Sequence, residues 1–175
     1  MIFYKFLNKY LDDISKLHII ILLLVIIFLE IIIYLKYGFS IYTCKYYIFI
    51  PFMMIISIID YYTMYVYDEI IFSAIFIQLI LFFINVNIEN SYIITFTITF
   101  FISYLLYKIT KSIGEGDIYF YLFCSFLIEY NYIIHFLFLP FLISLPYCIY
   151  NLKNRNTKIP FTPFISLSTL AILLF

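Results

Sequence analysis

The chain has 175 residues, 66% of them hydrophobic and 11% charged, with a mean hydropathy of +1.10 and a net charge of zero. That balance excludes a soluble globular domain and leaves no electrostatic basis for binding nucleic acid; apolar runs this long place the chain among polytopic helical membrane proteins. A β-rich reading would need alternation and frequent turn residues, but the runs are too long for strands and the chain has only three glycines. Cys44, Cys124 and Cys148 are far apart and form no C-x-x-C pair, so neither a zinc site nor a disulfide framework is expected.

Met1–Leu17 reads as an amphipathic segment on a membrane surface, with lysines suited to anionic lipid. It carries too many charges for a cleavable signal peptide, and the apolar run after it is long enough to span. The remainder, 18–175, reads as one transmembrane domain of about seven helices. Span 1 is about His18–Leu35 and contains Glu30, and span 2 is about Tyr46–Ile59, contains Pro51 and ends on Asp60. Asp60–Glu69 holds three acids (Asp60, Asp68 and Glu69) and no base. Span 3 is about Ile70–Ile84 and span 4 about Ser91–Tyr107. Spans 5 and 6 fill Asp117–Tyr150, broken at Glu129-Tyr130-Asn131, with the first short or tilted. Span 7, about Ile159–Phe175, has a proline suited to a first helical turn.

Lysine and arginine set the orientation. With the N-terminus inside, the cytoplasmic segments hold eight of these residues and the outer ones only Lys36 and Lys45. The positive-inside rule therefore predicts a cytoplasmic N-terminus. The count makes no use of the acids, yet it puts Asp60 and Asp117 on the same, cytoplasmic, face.

Asp117 follows Gly114-Glu115-Gly116, two of the three glycines in the chain, and opens a hydrophobic span. The glycines are expected to take backbone conformations closed to other residues and to let another segment come close. An acid at the edge of hydrocarbon is costly to keep and is by default functional. Two carboxylates held together cannot both ionise comfortably. The ionised one can take a proton from water while the protonated one polarises a peptide carbonyl, as in aspartic proteases.

Gly114-Glu115-Gly116-Asp117 resembles the G-x-G-D motif of type IV prepilin peptidases, which are membrane aspartic proteases. The stretch from Ser57 through Asp60 to Asp68 resembles the segment in which that family's first catalytic aspartate ends a helix. Gly38-Phe39-Ser40 and Ile159-Pro160-Phe161-Thr162-Pro163-Phe164 also resemble family positions, and the likeness covers nearly the whole chain. It implies Asp60 and Asp117 as the catalytic pair, Gly114 and Gly116 as residues shaping the loop, and no metal or organic cofactor. The implied substrates are type IV prepilin or pseudopilin precursors, cut after a glycine at the cytoplasmic face of the inner membrane, in pilus assembly or protein secretion.

Three positions depart from the family pattern: Tyr67 stands for a proline, Tyr119 for a lysine and Thr162 for a glycine. The aspartates are expected not to depend on them. The cysteine-bearing cytoplasmic domain of long members is not found in the sequence, so their N-methylation activity is not expected. Asp68 is the rival first acid, since Tyr67-Asp68 resembles the Tyr-Asp of presenilin-like proteases, but no Pro-Ala-Leu follows. Glu30 reads as a proton relay or as an inward, paired group. Glu115 and Glu129 read as exposed loop acids, and His18 and His135 lack ligand-like partners. The competing class is a small transporter or complex subunit whose acid pair binds protons or cations, although the chain shows no internal repeat of the kind such transporters carry.

Overall fold

The computed structural model describes residues 16–40, 43–84, 90–110, 113–151 and 159–175. Among them are seven α-helices and no strand: α1 (Lys16–Tyr37), α2 (Cys44–Thr63), α3 (Asp68–Ile84), α4 (Asn90–Thr110), α5 (Glu115–Ser125), α6 (Ile133–Asn151) and α7 (Thr162–Leu174). The protein is an all-α membrane bundle. Leu17–Tyr37, Cys44–Thr63, Ser91–Ile109 and Tyr130–Asn151 are long and apolar enough to cross a membrane. At 11 residues, α5 is only roughly 16 Å long, about half a hydrocarbon core. The break expected at Glu129-Tyr130-Asn131 is there, as a 3₁₀ turn over Tyr130–Tyr132.

Side chains are distributed for lipid rather than for water. Leu24, Phe28 and Leu35 on α1, Phe76 on α3 and Phe138 on α6 all face outward. Small hydroxyl residues lie inside instead: Thr95, Thr99 and Ser103 recur every fourth residue along α4, and Ser168 and Thr169 are enclosed on α7. Apolar surface gains nothing by turning from lipid to protein, so helices associate through small residues that let backbones come close. Several hydroxyls bond the carbonyl one turn back, as Ser103 Oγ does to Thr99 (2.7 Å), which meets their polar need without a partner helix. Pro51 and Pro140 sit within continuous helix, each in a segment long enough to span.

α3 and α7 each pack on both α2 and α5 and so hold those two helices in one cluster. An edge-to-face contact between Phe49 of α2 and Phe123 of α5, 5.7 Å between centroids, closes the middle. At one end Lys36 Nζ and Tyr37 Oη donate to the Leu173 carbonyl, at 2.9 and 2.8 Å. Lys45 lies over the Tyr92 ring at 3.8 Å, so both lysines assigned to the outer face are at the end away from Asp60. The amphipathic segment up to residue 15, and six of the eight bases counted as cytoplasmic, fall outside the described residues, while Lys16 and Leu17 already belong to α1.

Candidate active site

α2 continues one turn beyond the expected stop, so Asp60 lies inside its last turn rather than at its tip. Met64 ends the helix in the left-handed region (φ 55°), and its N–H donates to the Asp60 carbonyl at 2.8 Å. The chain then leaves α2 sharply, and Val66 turns back into the bundle against Gly116. α5 begins at Glu115, so Asp117 lies in its first turn and its Oδ2 accepts the Gly114 N–H at 3.0 Å. A side chain that caps its own helix in this way is held to one orientation.

The expected conformational role of the glycines needs correction. Neither Gly114 nor Gly116 has a positive φ; Gly114 is extended at φ −74°, ψ 157°. What Gly116 provides is space, because a Cβ there would lie 2.7 Å from Val66 Cβ. A Cβ on Gly114 would lie 3.3 Å from Asp117 Oδ2. The sequence showed that two glycines precede the acid, but not that one of them seats the segment following Asp60 against α5.

Asp60 and Asp117, 57 residues apart in the chain, line one cavity of about 880 Å³. Its walls come from the end of α2 and the following turn (Met64, Tyr65), the start of α3 (Asp68, Phe72), α5 with the residues before it, α6 (Phe141, Ser144, Cys148) and Phe161 ahead of α7. Among the described residues no cation lines it. Asp60 is 5% exposed, Asp117 half-buried, and the rival Asp68 exposed in the first turn of α3. Asp117, which lies outside the four helices long and apolar enough to cross a membrane, is pushed up to about 7, by burial first and then by the Asp60 carboxylate, against the pull of the Gly114 N–H. One turn on, Tyr121 is fully enclosed and donates to the Leu137 carbonyl at 3.3 Å.

Loss of the Asp60 charge should therefore move the Asp117 titration downward. Because burial is the larger cause, it should remain above the ordinary carboxylate range. An infrared titration of the carboxyl band in Asp60→Asn reads this directly, and an Asp117 titration left unmoved would show that the two acids do not interact.

One residue with a part in the site was not foreseen. Thr162, the departure from glycine, is fully buried at the start of α7, where its N–H and its hydroxyl both donate to Asp60 Oδ2, at 3.2 and 2.9 Å. The expectation that the aspartates do not depend on the departing positions fails here. Nothing in the sequence pairs residues 60 and 162; only the packing of α7 on α2 does. Tyr119 lines the cavity, with its ring 5.2 Å from that of Phe72. Glu115 is exposed as expected but is helical rather than in a loop, and accepts the Tyr107 hydroxyl at 2.6 Å. Glu30 is half-buried on α1 and does not line the cavity. His135 is exposed, and His18 meets the Tyr62 ring edge-on at 6.4 Å.

No curated protein and no solved structure matches the chain. The model of the type IV leader peptidase family matches residues 47–149, more than half of the chain. That stretch takes in both acids, the two glycines before Asp117 and the helices α3 to α5 between and around them. This chain belongs to the type IV leader peptidase family.

Proposed function

We propose that the protein is a membrane-embedded aspartic endopeptidase that removes leader peptides from type IV pilin-like precursors, with Asp60 and Asp117 as its catalytic pair. The observation that supports this reading most is that two acids from distant segments face one cavity in a membrane bundle.

The chemistry needs only the pair and a water. One carboxylate removes a proton from water as the oxygen bonds to the peptide carbonyl carbon, while the other acid gives its proton to the carbonyl oxygen. The resulting diol collapses: a hydroxyl proton returns to the second acid, the C–N bond breaks, and the nitrogen takes the proton held by the first. An acid and an amine leave, and the pair regains its starting protonation. The reaction requires no resident metal or organic cofactor.

Gly116 admits the segment that follows Asp60, and Gly114 accommodates the Asp117 carboxyl. The lysine distribution supports a cytoplasm-facing cavity in the inner membrane, where a basic leader stays inside while the apolar helix of the precursor is inserted. The upward shift of Asp117 to about 7 implies an alkaline limb in activity near that pH, as the proton needed by the carbonyl oxygen is lost.

Co-expression with a pilin-like precursor tests the reading. The precursor is expected to shorten by its leader, with a new N-terminus after a glycine. A precursor left at full length beside membrane-inserted protein would overturn it.

A further inference from the structure

The pair must share one proton, and the two acids differ in burial and in their donors, Asp60 being 5% exposed and Asp117 half-buried. Each carboxyl accepts a backbone N–H, Asp60 from Thr162 and Asp117 from Gly114, at 3.2 and 3.0 Å. Asp117 sits in the first turn of α5, whose dipole favours its charge, whereas Asp60 faces the start of α7 but lies in the last turn of α2, whose negative end opposes a charge there, so the dipoles alone do not favour Asp60. Asp60 has more donors, the backbone of Phe161 and the Thr162 hydroxyl; the hydroxyl, which donates to Oδ2 at 2.9 Å, is the only side-chain donor to either acid among the described residues. A carboxyl only 5% exposed is costly to ionise without donors, and two donors on one oxygen favour its charged form.

Resting on the leader-peptidase reading, we infer that Thr162 is a positioning residue that places the negative charge of the pair on Asp60. Asp60 is then the base that takes the proton from water, and Asp117 is the acid that protonates the carbonyl oxygen. Thr162 is itself well anchored. Its carbonyl accepts the Ser166 hydroxyl at 3.0 Å, and Ser166 meets the Ser57 hydroxyl one turn before Asp60. The titratable groups that line the cavity with Asp60 are Glu115, Asp117 and Tyr119 on α5, Tyr65 after α2, Asp68 on α3 and Cys148 on α6; α7 carries none. None of these supplies what the Thr162 hydroxyl supplies, a fixed neutral donor on Oδ2.

The test uses the full chain in proteoliposomes with a pilin-like precursor and three variants: Thr162→Val, Thr162→Ser and Thr162→Ala. Thr162→Val keeps shape and backbone donor but loses the hydroxyl. Its kcat should fall about tenfold to a hundredfold, with KM little changed and the acidic limb of the pH profile moved to higher pH. Thr162→Ser should restore both rate and profile. Thr162→Ala only deletes atoms, so it should show the same shifted profile if the valine variant fails to accumulate. Wild-type rate and profile in the hydroxyl-less variants would overturn the inference while wild-type processing keeps the protease reading intact. A second arm needs no activity. At mildly acidic pH, Asp117→Asn should lose a protonated carboxyl band from the infrared spectrum; persistence of that band would put the proton on Asp60 and overturn the assignment. If the wild type processes no precursor, the protease reading fails and the infrared arm alone decides where the charge lies.

Discussion

Asp60→Asn and Asp117→Asn are each expected to slow precursor processing by at least about 10²- to 10⁴-fold, the usual contribution of a positioned acid or base. Both changes preserve shape, and both leave the bundle intact, because an asparagine oxygen can still accept the Thr162 or the Gly114 donor. What is lost is proton exchange. An asparagine at position 60 cannot take a proton from water, and one at position 117 cannot give a proton to the carbonyl oxygen. The two acids act as a unit, so the double variant should be little slower than either single one. Processing measured over time, with the variant quantified in the membrane, checks this; a single variant cleaving at the wild-type rate would remove that acid from the mechanism. Asp68→Asn is the control within the same cavity. Asp68 is exposed, in the first turn of α3, and its loss should slow processing far less than that of either member of the pair.

Gly116→Ala should do nearly as much damage without touching a carboxylate. The added Cβ would stand 2.7 Å from Val66 Cβ, and 3.2 and 3.5 Å from the two methyls of Val66. Relief requires the Val66 segment to move away from α5. That segment leads directly from the end of α2, so its retreat pulls Asp60 away from Asp117. Overpacking of this kind costs about 1–3 kcal/mol, and loss of registration between the acids adds a rate effect of about tenfold or more on top. The rescue is specific. Val66→Ala leaves the closest atom in place and should not help, whereas Val66→Gly removes it and should recover part of the activity of Gly116→Ala. Gly114→Ala should be milder, since its Cβ would meet only the Asp117 carboxylate oxygen, at 3.3 Å, and the extended backbone there suits alanine. Equal losses at the two glycines would show that loop conformation rather than close approach sets the requirement.

The membrane bundle was legible from hydropathy because apolar length is a property of the chain itself. The seven helices lie close to where the apolar runs and their breaks put them, down to the interruption after Glu129. Asp60 and Asp117 could be singled out because an acid beside hydrocarbon stands out in a sequence with 11% charged residues. Helix ends were less legible. Asp60 looked like the end of α2, but the last turn continues to Thr63 and is closed by Met64 in a left-handed conformation that no glycine announced.

The sequence by itself determined a membrane-crossing helical chain with two acids at the boundaries of apolar runs, since each of these is read from neighbours along the chain. Only the tertiary structure decided that α3 and α7 bring those acids to one cavity, that Gly116 is there to admit Val66, and that Thr162 donates twice to Asp60. The physical reason is one of range: hydropathy acts residue by residue, whereas a bond between positions 60 and 162 exists only once separate helices have packed.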